Sequence, residues 1–313
     1  YLAGVPVESL PAVAAEAGYT GTDMTAFANE YLNIFATGFH YAFAVAIGAM
    51  AISLLIYVLN KKKFPNPADK KARNLNSTEI EMSASEVKQR LYALFAVFAV
   101  VIFFWFSFHQ NGLTLTYFAK DYTNLSSLKV NLGFTTLQGA ELFQSINPFF
   151  VVFLTPIIIA IFGWLRARGK EPSTPRKIVI GMLIAALAYV VMSLGSMGLP
   201  LKSEITAMGG LPDAQRVTPF LLLGTYFILT VAELFISPLG ISFVSKVAPP
   251  KLQGMMQGLW LCATAIGNSL LFIGAIFYEK ISMTGTWTIF VCACLLSMTV
   301  MLLMVRWLEK VAK

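Results

Sequence analysis

Seven runs of apolar residues, each of about twenty residues or more, decide what this chain can become. They cover residues 31–59, 91–118, 137–165, 178–199, 218–245, 254–277 and 285–305. At a rise of ~1.5 Å per residue, each is long enough to cross a hydrocarbon core of ~30 Å as a helix. Backbone in lipid must satisfy its own hydrogen bonds, so uninterrupted apolar runs of this length become helices. With 57% hydrophobic and 12% charged residues, the chain lies outside the range of soluble domains. The fold class that follows is all-α, a polytopic membrane protein with seven transmembrane spans.

The net charge of +7 would suit a nucleic acid, but the cations sit in the segments between spans and not on one face. No nucleic-acid partner is therefore expected, and the cations report topology. If the first span runs inward, 18 of the 23 Lys and Arg residues fall in inner segments and 5 in outer ones. Residues 1–30, with acids but no Lys or Arg, read as a non-cytoplasmic loop. Residues 60–90 hold the basic, Pro-containing stretch KKKFPNPADKKAR and read as a cytoplasmic linker, with Ser77 or Thr78 as a candidate helix cap. The chain thus divides into a loop (1–30), one helix (31–59), a linker (60–90) and a six-span unit (91–313). Tyr1 is not an initiator methionine, and the expectation is a piece of a longer protein. Six spans arranged as two inverted triplets make half of a major-facilitator transporter, with the helix at 31–59 closing the preceding half. A seven-helix bundle of another kind would also show seven spans.

Two ionisable residues interrupt the apolar runs at depth. Glu233 lies within residues 218–245, a run with no other charge, where an acid must pair, face water or take up a proton. Ser237 follows one turn later, and Pro238 breaks the helical ladder beside it. In the second span, His109 stands four residues after Trp105, on the same helical face, with Gln110, Asn111 and Gly112 next to it. Two readings are open for His109, a titrating group or a histidine hydrogen-bonded within the bundle. In the third span Gln144 and Asn147 precede Pro148, which frees a carbonyl at membrane depth. Asn147 either meets a ligand or bonds across helices. In the sixth span Gly254, Gly258 and Gly267 allow close helix contact, and Trp260 is either a cavity wall or an interfacial belt residue. Cys262, Cys292 and Cys294 read as packing residues. The chain holds no HExxH, no phosphate-cradling glycine loop, no nucleophile spaced for a base and no cluster of metal-ligand spacing. Neither an enzyme, a metal nor a cofactor is expected.

Three long motifs, in order, resemble the proton-dependent oligopeptide transporter family of the major facilitator superfamily. They are FFWFSFHQNGLTLTYFA, FQSINPFFVVFLTPIIIAIFGWLRARGKEPSTPRK and AELFISPLGISFVSKVAPPKLQGMMQGLWLCATAIGN. The resemblance implies proton-coupled symport of di- or tripeptides by alternating access across a bacterial inner membrane, driven by the proton gradient. It implies that Asn147 contacts the peptide, that Glu233 receives its amino terminus and joins in proton coupling, and that Ser237 lines the site. Trp105 and Trp260 would form aromatic walls for side chains. The ExxER helix and the lysine helix of the family belong to an amino-terminal half missing from this chain, so the chain supplies one wall of the site. Two departures stand out. His109 occupies the place of a family acid, so coupling would be altered or borne by His109 itself, and Gln257 replaces a methionine, which is expected to change packing only. Other small solutes such as nitrate, or a non-transporting sensor or scaffold, are the alternatives.

Overall fold

The structure, a computed structural model, describes residues 10–63, 82–126, 129–131, 136–140 and 142–312. The chain forms two units, residues 1–81 and 82–313. In the first, helix α1 (Leu10–Glu16) precedes the long helix α2 (Met24–Asn60). Helix α2 begins inside the stretch read from sequence as a loop, because Asp23 caps it. The Asp23 carboxylate accepts from the N–H groups of Thr25 and Ala26 at 2.9 and 3.2 Å. Within α2 only Phe27 is buried, and aliphatic side chains point outward on every side, as lipid requires of a spanning helix.

The second unit contains α3 (Ala84–Phe108), a 3₁₀ turn (His109–Gly112) and α4 (Thr114–Tyr122), which together make the second span. A two-stranded antiparallel hairpin follows, β1 (Lys129–Asn131) and β2 (Thr136–Gln138). Next come α5 (Leu142–Ala167), α6 (Thr174–Gly195), the short α7 (Lys202–Ala207) and α8 (Pro219–Val247). The sixth span is α9 (Gln253–Ser269) and α10 (Leu271–Lys280), and the seventh is α11 (Met283–Val311). Among the described residues, seven spans are long and apolar enough to cross a membrane, and the protein is a multi-pass membrane protein.

Boundaries differ from the sequence reading where local chemistry stops or starts a helix. The third span starts at Leu142 and not Leu137, since Leu137 pairs in the hairpin and Gly139, at φ 115°, turns the chain. The helix of the second span starts at Ala84, where the Ser83 hydroxyl accepts from the Glu86 N–H at 3.2 Å; the caps read at Ser77 and Thr78 lie outside the described residues. Pro175 and Pro219 sit in the first turns of α6 and α8, where a missing N–H costs nothing.

Lipid is as apolar as these side chains, so close packing and interhelical hydrogen bonds hold the helices together. Helix α6 packs on α8 and α11, α3 on α9 and α11, and α5 on α8. Tyr189, Trp287 and Phe290 form an aromatic cluster with Phe106, in which the Trp287 indole N–H donates to Ser196 at 3.0 Å. Helix α5 buries only Phe143 and Phe162, and Phe149, Val152 and Phe153 face outward. Of the three cysteines only Cys294 is a core residue; Cys262 and Cys292 are exposed.

Charged residues gather at the two ends of the unit. At one end Lys202 reaches Asp121 at 2.7 Å, Tyr278 donates to the same oxygen at 2.8 Å, and the chain bonds from Val217 to Tyr122. At the other end Arg90 donates to the Val247 carbonyl, Arg176 pairs with Glu309 at 2.7 Å, and Glu171 holds both Arg166 and Lys177. These are the segments that the Lys and Arg distribution assigns to the inner side.

Hydrogen bonds from Arg166 and then Lys177 hold the Glu171 carboxyl at about 2, below its ordinary 4.5. A carboxyl lowered by folding stabilises the fold above the unfolded value and loses that contribution as pH falls through the folded one. Wild type is therefore expected to unfold at a higher temperature than Glu171→Gln by a constant margin from pH 8 to about 5. The margin should close between about 4.5 and 2. Thermal unfolding in detergent across that range measures it.

Candidate functional site

Among the described residues the six-span unit departs from regular helix at several points. Span two breaks at His109–Gly112 and span six at Leu270, α5 carries Pro148 and Pro156 in its interior, and α8 carries Pro238. Neighbouring helices satisfy the groups that the break in span two frees. The Asn111 carbonyl accepts from the Tyr226 hydroxyl of α8 and from Thr116, and the Gly112 carbonyl accepts from Gln144 of α5 at 3.4 Å. Gln110 is fully buried and donates to the Leu271 carbonyl at 3.4 Å, while its own oxygen accepts from Thr114.

One turn beyond Gln144, Asn147 brings α5 to Glu233. Its amide donates to Glu233 Oε2 at 3.0 Å and to the Thr230 hydroxyl at 3.0 Å. Thr230 in turn donates to the Tyr226 carbonyl at 2.7 Å. Polar contacts thus run from Glu233 through Asn147, Thr230 and Tyr226 to the broken segment of span two. Glu233, Asn147 and Ser237 are each half-buried, and Ser237 lies one turn past Glu233 on the same helix. A carboxylate with one amide donor on one oxygen retains acceptor capacity for a further donor or a proton.

His109 and Trp105 form a second pair. Their rings stack with centroids 4.9 Å apart, and Trp105 Nε1 and His109 Nδ1 are buried without a hydrogen-bond partner among the described residues. Among the described residues no hydrogen bond or ring contact joins this pair to Glu233. Trp105 is 5% exposed and Trp260 2%, so both rings lie mostly within the unit. Trp260 meets Phe98 edge to face at 6.3 Å and fills the space over Gly240, where a Cβ would overlap the indole. It is a core residue at the crossing of α8 and α9, which removes the interfacial-belt alternative.

The glycines of span six divide. A Cβ at Gly254 or Gly258 would meet nothing within 4 Å, whereas at Gly267 it would lie 2.8 Å from Trp105 Cβ and 2.9 Å from the Ile102 carbonyl oxygen. Gly267 serves close contact and sets the backbone behind Trp105, and Gly274 of α10 does the same against the Gln110 amide, which a Cβ would meet at 2.5 Å. Gln257 does more than fill space, since it donates to the Ser245 hydroxyl at 2.8 Å and ties α9 to α8. Sequence reasoning passed over Tyr226 and Thr230. The signal was present, because Tyr226, Thr230, Glu233 and Ser237 recur at four, three and four residues along one helical face. Among the described residues no group of three or more His, Cys, Asp and Glu is placed to hold a metal ion.

A peptide transporter of Yersinia enterocolitica is 32% identical over 181 residues, which are 58% of this chain and 32% of that protein. The dipeptide and tripeptide permease B of Xenorhabdus bovienii is 26% identical over 184 residues, 58% of this chain and 34% of the permease. The chain therefore spans about a third of the length of these curated relatives. A crystal structure of a peptide transporter POT variant superposes with a TM-score of 0.60 at 22% identity, covering 89% of this chain and 54% of that one, and shares its fold. The sequence model of the POT family matches residues 68–289, most of the chain, and the chain belongs to that family.

Proposed function

We propose that the protein of which this chain forms part is a proton-coupled symporter of di- and tripeptides, working by alternating access in a bacterial inner membrane. The observation that carries this reading is the contact between Asn147 and Glu233, an amide and a carboxylate brought together from two proline-interrupted helices at membrane depth. A peptide presents an ammonium, amide groups and variable side chains. Glu233 suits the first, Asn147 the second, and the apolar walls nearby the third. Ser237 extends the polar face by a turn. Trp105 and Trp260 are the proposed aromatic walls for the peptide side chains, with little ring surface exposed in this half. An ammonium and a proton neutralise the same carboxylate in turn, which gives Glu233 a place in coupling as well as in binding. His109 is the second group proposed for proton coupling. A second six-helix half would supply the cations for the peptide carboxylate and the opposite wall of the cavity.

Competition in counterflow tests the substrate class. With the intact transporter in liposomes, dialanine is expected to compete with a labelled dipeptide, whereas N-acetyl-dialanine, which has no ammonium for Glu233, should compete roughly 30-fold or more weakly. Equal competition by the acetylated peptide, or effective competition by nitrate, would contradict the assignment.

A further inference from the structure

Two adjoining hollows open at the basic end of the six-span unit. One, of about 680 Å³, is lined by Ser173, Thr174, Arg176, Lys246, Arg306 and Lys310, together with Glu171 and Glu309. The other, of about 580 Å³, shares Glu171 and Arg176 with the first and continues along Val179, Ile180, Leu302 and Val305. Both carboxylates are committed, Glu171 to Arg166 and Lys177, and Glu309 to Arg176 and the Ser173 hydroxyl. Lys246, Arg306 and Lys310 are exposed and form no ion pair among the described residues. Cations at this side of a membrane protein and at helix C-termini are expected by themselves. What goes further is the order of the lining. On α6 the charge of Arg176 gives way one turn deeper to Val179 and Ile180, and on α11 Lys310 and Arg306 give way to Val305 and Leu302. Both helices change from cationic to aliphatic in the same direction, from the membrane surface inward.

We propose that this end of the unit binds an anionic phospholipid of the adjoining leaflet. Its phosphate sits among Lys246, Arg306, Lys310 and the first turn of α6, and an acyl chain follows Val179, Ile180, Leu302 and Val305. A free phosphate would use only the polar hollow, and a zwitterionic lipid would bring an ammonium that the uncommitted cations repel. The proposal is independent of the transported substrate, since among the described residues no hydrogen bond or ion pair joins these side chains to Glu233 or Asn147.

Native mass spectrometry of the intact transporter in detergent, titrated with phosphatidylglycerol, phosphatidylcholine or sodium phosphate, separates the sources. Retained phosphatidylglycerol should exceed retained phosphatidylcholine about tenfold, and thermal protection should follow phosphatidylglycerol and not phosphate. In Lys246→Gln/Arg306→Gln/Lys310→Gln, changed only at exposed side chains, the preference should fall to near unity. Equal retention of both lipids by the wild type, equal protection by phosphate alone, or an unchanged preference in the triple variant would each overturn the proposal. The comparison among the three probes holds for the wild type whether or not the variant folds.

Discussion

In the intact transporter, Glu233→Gln is expected to weaken dialanine binding by roughly 30- to 150-fold. Removing one charge from a half-buried hydrogen-bonded ion pair costs about 2–3 kcal/mol, and each 1.4 kcal/mol is tenfold in affinity. Glutamine is nearly isosteric, and its oxygen can still accept from Asn147, so the contact between α5 and α8 should persist and the unfolding temperature should hardly move. N-acetyl-dialanine, already lacking the ammonium, should bind both forms alike. Inhibition constants from counterflow read both results, and an unchanged constant for dialanine would remove Glu233 from the peptide site.

Gly267→Ala is expected to be among the most destabilising single-methyl additions in the six-span unit. The added Cβ would lie 2.8 Å from Trp105 Cβ, 2.9 Å from the Ile102 carbonyl oxygen and 3.0 Å from the Phe106 nitrogen. Two of these three obstacles are backbone atoms of a helix and cannot step aside as a side-chain tip does. Overpacking of this kind costs about 1–3 kcal/mol, or roughly 3–10 °C in unfolding temperature. Gly258→Ala in the same span meets nothing within 4 Å and replaces a poor helix former with a good one, so its stability should hold or rise by up to about 1 kcal/mol. Paired melts in detergent decide the matter, and equal losses at the two positions would show that span six does not lie against span two through Gly267.

The spans were legible because lipid imposes one rule on all of them, an apolar helix of about twenty residues or more. The breaks within spans two and six were less so. Gly112 and the polar run His109–Asn111 marked the first, but nothing in the sequence sets Leu270 apart, where the N–H bonds back to the Gly267 carbonyl at 3.2 Å and α9 gives way to α10. The start of α2 at Met24 was missed because composition outweighed the Asp23 cap in a stretch read as loop. Within the site, the depth of Glu233 and the prolines inside its helices could be read directly, whereas its contact with Asn147 depends on how α5 lies on α8, which no spacing along one helix specifies. The choice between the two readings of Trp260 was closed to sequence for the same reason. Its burial comes from Gly240 on another helix, and only the packed pair reveals it.

The most direct measurement is peptide-driven proton movement. With the intact transporter in liposomes that enclose a pH-sensitive dye, adding dialanine outside should acidify the lumen for the wild type. For Glu233→Gln the lumen should stay at its starting pH, even at peptide concentrations raised to offset the weaker binding. Acidification at the wild-type rate by Glu233→Gln would contradict the assignment of Glu233 as the carboxylate at which peptide and proton are exchanged.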